Sequence, residues 1–212
     1  MGYIGWLGTF EGNFHTGKFN ESQIVKYLRS LGAVLYVQTS VPQGSFSGET
    51  INHIIGNTPN PKNRNLVVDG SSGGEGGLLA LGGSVIGLGT DIGGSIRAPA
   101  GWNGCFGLRP STGRYPYEGI ASTLDGQLAV PFVVSPLATS AKALTLMTAS
   151  ILNLQPWDRE PLAHELPWNN DQSLKIIHRF RGSGEKLSFG IMISDVYVHP
   201  QPPVNRDNSG DH

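Results

Sequence analysis

Apolar positions recur at helical spacing across residues 20–31, where Ile24, Leu28 and Leu31 fall on one face. Asn20 stands where a cap belongs, Gln23 where a capping-box partner belongs, and Gly32 at the C-terminal stop. Lys26 and Arg29 fall off the apolar face and are expected in solvent. The run Ala33-Val34-Leu35-Tyr36-Val37 is unbroken and apolar, which predicts a buried strand directly after this helix. A second helical pattern spans residues 138–152, with Leu144, Met147 and Ile151 on one stripe and Thr148 bordering it through its methyl group. Shorter apolar runs predict strands at 66–68, 84–88 and 187–193, and a helix at 75–81 despite Gly76 and Gly77. Residues 156–167 are proline-rich and predict an irregular surface connector. Helices alternating with strands imply an α/β fold, a mixed β-sheet core covered by helices.

Between the two amphipathic helices the pattern changes character. Residues 69–110 read DGSSGGEGGLLALGGSVIGLGTDIGGSIRAPAGWNGCFGLRP, with serine-bearing glycine loops at 70–74 and 93–95. Such loops let backbone N–H groups approach a ligand closely. A hydroxyl among exposed amides could act as a nucleophile beside an oxyanion site. On residues alone a plain turn or linker fits equally well. A phosphate-cradling loop does not fit, because no lysine falls between Lys62 and Lys142. The spacing of Gly87, Gly89 and Gly93 is one residue too long for a dinucleotide fingerprint. Gly70-Ser71-Ser72-Gly73-Gly74 matches the nucleophile-elbow pattern around Ser72, with 66–68 as its strand and His164, His178 and His199 downstream.

Composition narrows the classes further. The 212 residues carry 30 glycines, about twice the usual share, as a loop-rich site would need. Only 15% of residues are charged and the net charge is −1, so nothing favours a nucleic-acid or acidic-membrane partner. Cys105 stands alone, which excludes an intrachain disulfide framework and suits a small core residue. His53 has no second metal ligand at useful spacing and reads as a surface histidine. The first residues lack a basic segment, and no run approaches a membrane span. A cytoplasmic protein is the default expectation, with oligomeric state undetermined.

The stretch GSSGGEGGLLALGGSVIGLGTDIGGSIRAPAGWNGCFGLRPS resembles the signature of the amidase-signature serine hydrolases, and most closely their fungal acetamidase-like and fatty-acid-amide-hydrolase-like branch. Flanking segments agree, among them Thr39-Ser40-Val41-Pro42-Gln43, Gly56-Asn57-Thr58-Pro59-Asn60-Pro61 and Gly113-Arg114-Tyr115-Pro116-Tyr117. The resemblance implies hydrolysis of carboxamides to a carboxylate and ammonia or an amine, on small-molecule amides and without metal or cofactor. It implies a Ser–Ser–Lys site with Ser95 as nucleophile and Ser71, in a cis peptide, as the bridging serine. The N–H groups of Ile92, Gly93, Gly94 and Ser95 would then form the oxyanion hole. Ser45 would line the acyl pocket, and buried Asp91 and Arg97 would hold the nucleophile loop.

Several positions depart from that pattern, among them Ser40, which stands where the family has an asparagine after Thr39. Asp69 replaces the usual glycine before Gly70-Ser71, and Thr139 stands where an arginine is usual. None of Lys18, Lys26, Lys62, Lys142, Lys175 or Lys186 has the surroundings of the family's base, which the resemblance places upstream of Met1. Residues 1–204 are therefore expected to form a partial amidase domain, incomplete at both ends, and 205–212 a disordered polar tail. The alternative function is a truncated, catalytically inactive homologue.

Overall fold

The computed structural model describes residues 11–12, 19–120, 126–183, 190, 192, 194, 196, 197 and 202. The chain divides into two units, Met1–Trp168 and Asn169–His212. In chain order the first unit contains β1 (Glu11–Gly12), β2 (Phe19–Asn20), α1 (Gln23–Ser30), β3 (Ile51–Asn52), β4 (Gly56–Asn57), α2 (Gly73–Ala80), β5 (Ile86–Asp91), α3 (Arg97–Asn103), β6 (Phe106–Gly107), β7 (Val133–Ala138) and α4 (Ala141–Leu152). β1 pairs with β2 and β3 with β4, both antiparallel. The central sheet runs β5-β7-β6, with Leu88 opposite Pro136 and Asp91 opposite Val133.

The sheet's two faces explain its sequence. Alternate residues of a strand point to opposite sides. Leu88 and Val134 face one way and pack with Ile24, Val25 and Leu28 of α1, Ile151 of α4, Tyr115 and Ile120. On the other face Leu137 joins Leu79 of α2, Ile96, and Ala100 of α3. The glycines of β5 alternate onto this second face. A Cβ on Gly87 would overlap the Glu75 carboxylate, and one on Gly89 would lie 2.6 Å from Ser72 Oγ and 2.7 Å from Leu137 Cδ1. Glycine there lets α2 and its preceding loop sit directly on the strand. Gly89→Ala is therefore expected to overpack this layer and cost about 1–3 kcal/mol, read as a lowered midpoint in chemical denaturation.

The α/β class stands as the sequence implies, with several boundaries moved. Asn20 belongs to β2 rather than capping the first helix, and Ser22 takes the cap position without a side-chain cap bond. Leu31, expected on the buried face, lies past the helix end and is 46% exposed. Lys26 and Arg29 are exposed as expected, Arg29 pairing with Glu21 at 3.0 Å. Residues 33–37 are not assigned to a strand, and Val34, Tyr36 and Val37 are more than half exposed. They line one wall of an apolar cavity of about 590 Å³, opposite residues 82–88. Their β propensity is real, but a strand also needs a backbone partner.

β5 begins two residues later than expected and runs on through Gly89, Thr90 and Asp91. β7 went unrecognised in the sequence because Pro136 interrupts it, yet all six of its residues are buried. Residues 66–68 contribute a single bridge, Val67 to Pro59. The second amphipathic helix starts at Ala141, after Ser140 caps it by accepting the Ala143 N–H at 3.2 Å. Thr148 packs as expected, but its hydroxyl matters more than its methyl: it donates to Leu144 O and accepts from Tyr115 Oη, both at 2.7 Å.

The 156–167 connector is less superficial than its prolines suggest. Glu160 is buried there and accepts the N–H groups of Tyr117 and Glu118. In the second unit, α5 (Asn170–Ser183) opens with Asn169 Oδ1 accepting the Gln172 N–H. Apart from residues 190 and 192, the expected strand at 187–193 lies outside the described residues, as does the tail 205–212. Among the described residues no helix is long and apolar enough to cross a membrane.

Candidate active site

The two glycine-serine loops lie side by side at one end of β5. The Ser72 N–H donates to Ser95 O at 3.1 Å, joining the loop before α2 to the loop before α3. Asn103 adds a second tie from the far end of α3. It is buried, donates through Nδ2 to Val68 O and Pro99 O at 2.8 Å each, and accepts from Asn60. The residue that leads into the first loop is thus fastened to the helix that follows the second. Within this pair Ser71 is buried, Ser95 is partly exposed, and the Gly70–Ser71 peptide is cis as the resemblance implies.

Asp91 organises the Ser95 loop. Fully buried at the end of β5, its carboxylate accepts the N–H groups of Gly94 at 2.7 Å, Ile96 at 3.2 Å and Arg97 at 3.4 Å. Arg97 also donates Nε at 3.0 Å and Nη2 at 3.2 Å, and Arg109 Nε lies at 3.5 Å. Burial alone would push the Asp91 carboxyl up. The guanidinium of Arg97 and the Gly94 and Ile96 N–H groups outweigh it and hold the carboxyl below its ordinary value. Arg97 was expected to be buried, but its side chain is 52% exposed and only its donor end reaches inward. Arg109 is a third member that the sequence did not reveal, since Gly-Leu-Arg-Pro carries no spacing signal toward Asp91.

The four expected oxyanion donors separate. The Gly94 N–H is engaged by Asp91, while Ile92 and Ser95 are partly exposed and Gly93 is exposed. Gly94 itself sits at φ 136°, where a side chain would be strained. Ser45 closes a short turn, Gln43–Ser45, at φ 58° and is partly exposed. Just beyond it Ser47 O packs on Gly70 so closely that no Cβ would fit there.

Residues 39–52 brace the first loop in ways the sequence did not show. The Gly74 N–H donates to Ser40 O at 3.0 Å, and Thr39 Oγ1 donates to the Glu75 carboxylate at 2.9 Å. Burial pushes the Glu75 carboxyl up, an effect its Thr39 bond opposes. Asn52 fixes this segment from beneath, donating to Ser40 Oγ and Val41 O. These are polar residues in a turn-rich stretch, which pattern reading assigns to the surface.

The nucleophile-elbow reading of Ser72 does not survive. Its hydroxyl is buried, accepts the Thr90 N–H at 3.2 Å and faces Thr90 O at 3.4 Å. His164 is exposed beside Gly113, and His199 is outside the described residues. His53 is exposed as expected, and Cys105 packs partly buried against the Leu79–Leu137 cluster, where burial pushes its thiol up.

Two serine-bearing glycine loops thus lie bound together at one end of β5. Residues 13–209 match the sequence model of the Amidase family, and the chain belongs to that family. It is 44% identical over 97% of its length to an acetamidase of Emericella nidulans and 42% identical to an acetamidase of Aspergillus oryzae. It spans about a third of those proteins, 36% of each. Among solved structures, fatty acid amide hydrolase superposes at a TM-score of 0.72 with 39% identity, covering 80% of this chain and 30% of that one. A bacterial aryl acylamidase of the amidase-signature family superposes at 0.63 with 27% identity, covering 82% and 36%.

Proposed function

We propose that the chain carries the nucleophile-bearing part of a carboxamide hydrolase, with Ser95 attacking the amide carbonyl. The observation that supports this most is the pairing of a reachable Ser95 with a buried Ser71 on loops tied by the Ser72 N–H to Ser95 O bond. In the first step Ser95 Oγ forms a bond to the carbonyl carbon and passes its proton to Ser71 Oγ. A hydroxyl both accepts and donates, so Ser71 hands its own proton on to a base. The developing oxyanion takes hydrogen bonds from the N–H groups of Ile92, Gly93 and Ser95, Gly94 being held by Asp91. Collapse breaks the C–N bond as the base returns the proton through Ser71 to the leaving nitrogen, which departs as ammonia or an amine. Water then attacks the acyl-enzyme, gives a proton back along the same path to Ser95 Oγ and frees the carboxylate. Asp91, Arg97 and Arg109 keep the loop in shape, and Ser45 borders the acyl side.

A second reading, a catalytically inactive homologue that keeps the fold, rests on one observation. A lysine base must be buried to be neutral, whereas Lys26, Lys62, Lys142 and Lys175 are all exposed. The two readings part on one experiment. The protein is treated with a fluorophosphonate, the modified serine is mapped by mass spectrometry, and acetamide hydrolysis is followed by ammonia release. The first reading expects the label on Ser95 and turnover that disappears in Ser95→Ala. A label on Ser95 without turnover, or no label at all, supports the second, and a label on Ser72 instead of Ser95 overturns the assignment of Ser95.

A further inference from the structure

We infer that Asp69 is a positioning residue for Ser71, a role that rests on the function proposed above. Asp69 lies at φ 63°, in the left-handed region that residues with a side chain seldom enter. Aspartate tolerates it where its short carboxylate bonds locally. Here Oδ1 accepts the N–H of Gly70, the next residue, at 2.7 Å. The backbone is held from the other side by Thr50, which is buried and donates Oγ1 to Asp69 O at 2.7 Å. Thr50 fills the space between Gly70 and Gly73, where a Cβ on Gly73 would overlap its hydroxyl, and Ser47 O closes over Gly70.

The chain therefore enters the Ser71 loop through a residue fixed at its carbonyl by Thr50 and at its carboxylate by the following amide. This leaves the Gly70–Ser71 segment little freedom, and Ser71 is where the relay hydroxyl has to sit. Burial pushes the Asp69 carboxyl up while the Gly70 bond opposes this, as expected of a carboxylate spent on one internal contact.

Three variants separate the roles of oxygen, charge and backbone. Asn tolerates the left-handed region and keeps the accepting Oδ1, Gly relaxes the backbone but removes the acceptor, and Ala loses both advantages. Amide hydrogen exchange at residues 70–72 and the rate of Ser95 modification by fluorophosphonate are measured in Asp69→Asn, Asp69→Gly and Asp69→Ala. Asp69→Asn is expected to keep both near wild type. Asp69→Ala is expected to lose protection at Gly70 and slow Ser95 modification about 10-fold or more. Asp69→Gly, which restores the residue usual in the resembling family, is expected to lose protection at Gly70 but to keep Ser95 modification within a few-fold of wild type. Unchanged values in Asp69→Ala overturn the inference, and so does an Asp69→Asn variant as impaired as Asp69→Ala. If wild-type Ser95 is not modified, the proposed function fails, and exchange alone decides: protection lost in Ala but kept in Asn supports the clamp, and protection kept in both refutes it.

Discussion

Asp91→Ala is expected to destabilise the first unit by about 3 kcal/mol or more and to end fluorophosphonate modification of Ser95. The carboxylate is the common acceptor of the Gly94, Ile96 and Arg97 N–H groups and of two guanidinium groups. Of these partners, Arg97 is half exposed and Arg109 is reached by solvent, so water can replace much of what they lose. The amide of fully buried Ile96 has no such recourse, and an unsatisfied buried donor costs about 1–3 kcal/mol. Chemical denaturation of wild type, Asp91→Ala and Asp91→Asn reads the effect, with Asn expected in between because one carbonyl oxygen remains.

The same carboxylate gives the effect a pH signature. Its folded-state value is held below the ordinary 3.8, so its contribution is fully present above that value. Below it the unfolded chain takes up the proton first, and the contribution drains away as pH falls through the lowered folded value. The stability gap between wild type and Asp91→Ala should be constant from neutral pH down to about 5 and narrow below 4. A gap that widened on acidification would show that Asp91 is not the anion that holds the loop.

What the sequence displayed, and what it hid, follows from where the physics is local. The helices around Ile24 and Ile151 were legible because a buried face repeats every three to four residues. The serine loops were legible through glycine, whose density marks backbone approaching something closely. β7 was hidden because a proline in the middle of a paired strand contradicts local preference, and only burial on both faces overrides it. The supports of the site were hidden for a different reason. Asn103 reaching Val68, Thr50 reaching Asp69 and Arg109 reaching Asp91 are bonds across 35, 19 and 18 positions, and no spacing rule anticipates them. The extended run 33–37 was misread because its apolarity predicts burial that the described residues do not supply.

Among changes that leave both the nucleophile and the framework of its loop in place, Ser71→Ala carries the largest kinetic effect expected. Ser95 is partly exposed and Ser71 is buried, so a proton leaving Ser95 for the interior has Ser71 as its proposed first stop. Removing that stop forfeits general-base assistance, which contributes about 10²–10⁴-fold. Ser95 modification should slow by that factor in Ser71→Ala, while stability changes little because alanine fills most of the space. Ser72→Ala is the contrasting control. It strips the Thr90 N–H of its acceptor in a buried layer, so it should cost about 1–2 kcal/mol of stability. Yet its hydroxyl faces β5, so Ser95 modification should stay within a few-fold of wild type. The two adjacent serines thus exchange roles between assays, one governing rate and the other stability. A Ser72→Ala variant that lost modification as fully as Ser71→Ala would mean that the two hydroxyls act as one unit, and the relay would have to be redrawn through both.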